Sequence, residues 1–157
     1  MEFHFIAAMK LNNIETLELL LNWGVDINQK VNGGAYVSFL SWAFYEYITE
    51  ISSETIKFLL KNGAKADVKN LDGYEYPLQN YMNCDPDLDV VKLLIHHKAD
   101  VNFKSENGES VLDNCLYFNP FDIEIIKELV AAGADLKNHL EENTISSSSS
   151  IDDEKTG

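Results

Sequence analysis

Four stretches of this chain align with one another without gaps, and that self-similarity limits the fold more than any other property of the sequence. From Ile14 the chain reads IETLELLLNWGVDIN, from Ser53 SETIKFLLKNGAKAD, from Leu88 LDVVKLLIHHKADVN and from Ile123 IEIIKELVAAGADLK, at offsets of 39, 35 and 35 residues. Leu17, Leu20 and Leu21 of the first copy match Ile56, Leu59 and Leu60, then Val91, Leu94 and Ile95, then Ile126, Leu129 and Val130. That spacing is one face of an α-helix. An acidic residue opens each helix (Glu15, Glu54, Asp89, Glu124) and favours the positive end of its dipole. Gly24, Gly63 and Gly133 close three of them as left-handed caps, with Lys98 at the fourth place. A helix this short buries its apolar stripe only by stacking on neighbouring copies.

A second, shorter apolar segment precedes each of these helices. HFIAAM at His4, FLSWAF at Phe39, PLQNYM at Pro77 and VLDNCL at Val111 align in turn, and polar stretches with Gly33, Gly34, Gly73 and Gly108 lie ahead of the last three as turns. The surplus residues fall between the two helices of a pair: within Tyr47 to Ser53, Asn83 to Asp87 and Phe118 to Asp122. The last two carry Asp85-Pro86 and Asn119-Pro120, which read as a cap followed by Pro at a helix start.

These units resemble the ankyrin repeat family, most closely at Gly24 to Asn28 (GVDIN), Lys98 to Asn102 (KADVN), Gly133 to Leu136 (GADL) and Tyr76-Pro77-Leu78. The family's His position reads Ile6, Ser41, Gln79 and Asp113, and the spacing exceeds the family's period of about 33. The resemblance implies an all-α, ankyrin-type helix-turn-helix solenoid with short β-hairpin-like fingers. Its repeats span approximately 1–28, 29–67, 68–102 and 103–138, the first acting as a cap without a finger. After Asn138 the pattern stops, and 139–157, with its SSSSS and DDEK, reads as a disordered Ser-rich acidic tail.

Charge narrows the partner. With 26 acidic residues against 12 basic ones the 157-residue chain carries a formal charge of -14, and all 12 basic residues are Lys. Phosphate backbones and anionic membranes call for clustered cations, so neither nucleic acid nor membrane is an expected partner. Cys84 and Cys115 make no CxxC pair, and no leader or membrane span is legible, which together suggest a cytoplasmic protein with free thiols, or one exported by a dedicated secretion system.

Candidate chemistry dissolves on inspection. Asp85-Pro86-Asp87-Leu88-Asp89 lacks the Gly and the closing Glu of a calcium loop, because Val90 and His96 stand there. The adjacent His96 and His97 point about 100 degrees apart on a helix. Cys115 aligns with Ala8 and Ala43, small positions between helices, and reads as a core thiol. No catalytic residue, cofactor or metal is therefore expected. Family members bind through finger tips and the open side of the first helix, which transfers the role to Tyr36, Asp72, Tyr74, Glu75, Glu106 and Glu109 on the fingers, beside Lys30, Val31 and Asn107. On the first helices it falls to Trp42, Tyr45, Glu46, Asn80, Asn83, Asn114, Tyr117 and Phe118. Aromatic anchors among carboxylates select a positively charged protein. The expectation is a monomeric, non-catalytic protein-binding module for a basic partner, acting as a stoichiometric inhibitor, an immunity protein or a secreted effector. The alternative is a structural adaptor that joins two proteins.

Overall fold

The computed structural model describes residues 1–31, 38–45, 50–67, 77–83 and 85–136; the expected fingers of repeats two and three and the tail at 139–157 lie wholly or mostly outside them. Eight helices occur among the described residues: α1 (Glu2–Lys10), α2 (Ile14–Asn22), α3 (Phe39–Tyr45), α4 (Ser53–Lys61), α5 (Pro77–Met82), α6 (Leu88–His96), α7 (Val111–Phe118) and α8 (Ile123–Ala131). They form four antiparallel pairs. The first helices α3, α5 and α7 pack side by side in one layer, and the second helices α4, α6 and α8 pack in another. Between the layers runs one apolar core containing Phe5, Met9, Leu17, Phe39, Leu40, Ile56, Leu59, Leu60, Leu78, Met82, Val91, Leu94, Leu112 and Leu129, all buried. In the last repeat Ile126 is only partly buried where its counterparts Leu17, Ile56 and Val91 are buried, since no further described helix pair covers it.

Local chemistry sets both ends of the second helices. Asn13, Ser52, Asp87 and Asp122 cap α2, α4, α6 and α8 by accepting a backbone N–H from the first turn, which satisfies donors a helix otherwise leaves open. The caps of α6 and α8 are thus Asp87 and Asp122, which corrects the expected Asp85-Pro86 and Asn119-Pro120 starts. The Asp87 side chain accepts from the N–H groups of Asp89 and Val90 and that of Asp122 from Ile125, while Asn119 spends its amide on Met82 O in the neighbouring repeat. At the other end, Gly24, Gly63, Lys98 and Gly133 all take left-handed backbone with φ of 91°, 90°, 70° and 98°. The N–H of the following residue then reaches back five residues, as in Val25 to Leu20 O (3.1 Å) and Ala99 to Leu94 O (2.9 Å).

Those left-handed turns also tie repeats together. Asn28 Nδ2 donates to Gly63 O (2.9 Å) while its Oδ1 accepts from Lys65 N (3.0 Å). One repeat pair further along the stack, Asn102 Nδ2 donates to Gly133 O (2.9 Å) and its Oδ1 accepts from Asp135 N (2.9 Å). At the equivalent place between repeats two and three stand Asp67 and Lys98, both exposed, and no such bond joins them among the described residues. A carboxylate cannot donate to the Lys98 carbonyl. The loops between helices repeat the difference. Asn12, itself left-handed at φ 52°, donates to Glu50 O (2.9 Å) and accepts from Ser52 N (2.6 Å), and Asn119 Nδ2 donates to Met82 O (2.7 Å). Between repeats two and three the tie is ionic: Lys57 Nζ lies 3.1 Å from Asp87 and 3.7 Å from Asp89. Phe44 and Tyr81 add an edge-to-face ring contact at 5.4 Å.

A side chain in the left-handed region costs about 1 kcal/mol, and a hydrogen bond regained at an exposed site contributes about 0.5–1 kcal/mol. Lys98→Gly should therefore raise unfolding stability by about 1 kcal/mol in urea titration, and adding Asp67→Asn should raise it again. A loss with Lys98→Gly would mean the Lys98 side chain stabilises its turn, and no gain with Asp67→Asn would mean the amide cannot complete the bond.

Candidate binding face

The finger of repeat four is a short hairpin-like turn, with an antiparallel bridge between Lys104 and Ser110. Ser105 N donates to Glu109 O (2.9 Å), Gly108 N to Ser105 O (2.9 Å) and Glu109 N to Ser105 Oγ (3.2 Å). Gly108 at φ 83° supplies the reversed backbone the turn demands. At its base Ser110 and Asp113 form a reciprocal capping box that opens α7. The turn thus holds Glu106 and Glu109, both exposed, in fixed positions on the solvent side.

Gln79 of α5 docks this finger on the neighbouring repeat. Its Nε2 donates to Glu109 O (2.9 Å), and the residue is 4% exposed. Beside it Asn114 Nδ2 donates to Asn83 Oδ1 (2.7 Å) across α7 and the end of α5. The result is a depression of about 260 Å³ lined by Gln79, Asn80, Asn83, Ser105, Glu106, Asn107, Glu109 and Asn114. Six residues singled out in the sequence meet there: Asn80, Asn83, Glu106, Asn107, Glu109 and Asn114. Gln79 and Ser105 were not singled out. The signal for Gln79 was its place at the family's His position, where a polar side chain on a first helix faces the next repeat.

Elsewhere the expected face divides. Tyr117 is 80% exposed and Phe118 51%, with their rings 4.8 Å apart, and the loop after them adds Phe121 at 93% and Ile123 at 59%. These side chains lie at the far end of α7 from the finger, about 12 Å away for eight residues at 1.5 Å each. The aromatic pair and the finger carboxylates thus stand at opposite ends of α7, with Asn114, one turn from Tyr117 and Phe118, between them. Trp42, expected on the open side, is buried at 7%, and Lys10 Nζ sits 5.6 Å over its ring. Val31, expected on a finger, is also buried. Both follow from packing against the first repeat, where apolar surface is worth more inside than at a rim. Tyr36, Glu46, Asp72, Tyr74 and Glu75 fall outside the described residues, as does the side chain of Tyr45.

No three His, Cys, Asp or Glu side chains converge on a metal-binding geometry among the described residues, and no described helix is long and apolar enough to cross a membrane. Residues 40–139 match the family model for ankyrin repeats, in three copies. An ankyrin repeat protein of fowlpox virus (strain NVSL) is 29% identical over 122 residues, which covers 75% of this chain and 34% of that protein. The chain thus spans about a third of the length of that relative.

Cys115 packs in the core of α7. Burial, aided by the Asp122 carboxylate, pushes its thiol up to about 11. At pH 7.5 only on the order of 1 molecule in 3,000 then carries the nucleophilic thiolate. Iodoacetamide should leave Cys115 unmodified in the folded protein and alkylate it in urea, as read by peptide mass spectrometry. Rapid labelling of the native chain would contradict the burial.

Proposed function

The chain belongs to the ankyrin repeat family, whose repeats generally mediate protein–protein contacts, and from that premise we propose that it binds a basic protein partner through its finger and first-helix side without catalysing a reaction. The observation that carries this reading is the depression between repeats three and four, where six side chains expected from sequence converge and the lining, among the described residues, holds two carboxylates and no cation. A net charge of -14 speeds encounter with a positive partner, and a fixed depression gives the encounter its register. A compact acidic surface that covers a basic site acts as a stoichiometric inhibitor, in the manner of an immunity protein or of an effector that captures its target.

A second reading draws on the separate aromatic edge of Tyr117, Phe118, Phe121 and Ile123. This edge and the finger carboxylates stand at opposite ends of α7, and two such surfaces can serve two proteins, as an adaptor would. The two readings differ in what each patch binds.

Lys57 is no control site for testing them, because it bridges α4 to α6. Glu18, exposed on α2, serves better. A partner captured from native lysate and identified by mass spectrometry would be measured against Glu106→Lys with Glu109→Lys, Tyr117→Ala with Phe121→Ala, and Glu18→Lys. The finger reversals should slow association, and raised salt should mimic them, since exposed charges are screened over about 8–10 Å. Aromatic removal should cost about 1–3 kcal/mol if that edge touches the same partner. Loss of a different protein with each pair favours the adaptor. Equal loss with Glu18→Lys overturns the concave-face reading.

A further inference from the structure

The depression between α5, α7 and the fourth finger offers its occupant two amide oxygens and two carboxylates, beside the amide and hydroxyl donors of Asn83, Asn107 and Ser105. Gln79, more than nine-tenths buried, must turn its Nε2 toward Glu109 O, so its Oε1 is left over. Asn114, also more than nine-tenths buried, directs its Nδ2 to Asn83 Oδ1 and likewise leaves an oxygen. No donor reaches either oxygen among the described residues, and neither oxygen is sealed from solvent. The carboxylates of Glu106 and Glu109 stand at the rim, and no Lys or His is part of the lining among the described residues.

An amide oxygen at the back of a depression with no protein donor keeps a water until a ligand covers it, so it selects a ligand that brings an N–H in the water's place. Two amide oxygens at the back and two carboxylates in front call for several N–H groups spread over a plane. A guanidinium carries five in a rigid fork and sheds its water readily, whereas an ammonium carries three around one strongly hydrated point. At about 260 Å³ the depression is below the roughly 300–1,000 Å³ of small-molecule sites, a size for one long side chain. From these observations we infer that the depression is a receptor for an arginine side chain of the protein partner. The chain contains no arginine, so a second copy of itself cannot supply the group.

This inference rests on reading the finger side of repeats three and four as the binding face, and its test needs no partner. N-acetyl-arginine amide is titrated into the full chain, with the lysine and citrulline counterparts as comparisons, while NMR follows the side-chain NH2 signals of Gln79, Asn83 and Asn114. The arginine compound should shift those signals saturably, with half-saturation on the order of 1 mM for a ligand of this size. Lysine and citrulline should bind at least about tenfold more weakly, and Glu106→Gln with Glu109→Gln should weaken arginine by about tenfold. Both glutamates are exposed, so the remaining spectrum reports whether the fold is kept. Equal binding of lysine or citrulline, shifts that do not saturate, or retention of binding in the double variant would overturn the guanidinium site. Such a result leaves the concave-face reading to the partner experiment. Saturable arginine binding beside a partner that ignores the finger reversals would instead overturn that reading.

Discussion

Each second helix has to stop at one residue, because the chain must reverse direction and start the next finger before the apolar stripe runs past the core. The stop is a single left-handed residue, and it turns a carbonyl outward to where the preceding repeat can reach it. Asn28 and Asn102 use that carbonyl, so the device that ends a helix also fixes the distance to its neighbour. At those two junctions the spacing of the repeats follows from it. Helix packing alone leaves such spacing loose, since ridge-and-groove contacts tolerate scatter in angle and distance.

The surface inherits its character from this scaffold. Gln79 reaches the fourth finger because the two repeats are held at that spacing, and Glu109 O accepts from both Gln79 and Ser105. One carbonyl therefore belongs at once to the turn and to the contact between repeats. The depression is built from backbone that is already satisfied, and the side chains left over face outward. Polar character at the site is a by-product of how the repeats are joined.

Much of the fold was legible because repetition turns weak local signals into a register. Leu17, Leu20, Ile56 and Leu94 announced the core by helical spacing, and Lys98 stood out as a left-handed residue only because three aligned copies had Gly there. What depended on a single local pattern failed. Asp85-Pro86 looks like a helix start, but two residues later Asp87 accepts the N–H groups of Asp89 and Val90. Trp42 was read as open because alignment gives a helix position without saying what lies above it, and Lys10 and the first repeat cover it. Phe121 was passed over as a connector residue, since periodicity carries no information inside an insertion. Of the binding face, the residues that converge around Gln79 were mostly named in advance. Their separation from Tyr117 and Phe118 was not, because both ends of a short helix share one alignment column set.

Where Asp67 faces Lys98, the amide clasp found at the other two junctions is missing, and ring packing and the Lys57 ion pairs hold the halves together. A stack of repeats behaves as a linear chain whose cooperativity depends on the strength of each nearest-neighbour link. Equal links make one transition that spans all four units. Helix packing is close between repeats two and three, where α3 meets α5 and α4 meets α6, and sparser between repeats one and two, so the looser link is the first one and repeats two to four form the more cohesive block. The depression that gathers Gln79, Asn114 and the finger glutamates lies wholly inside that block. Thermal fluctuations that loosen the first repeat therefore leave its geometry intact.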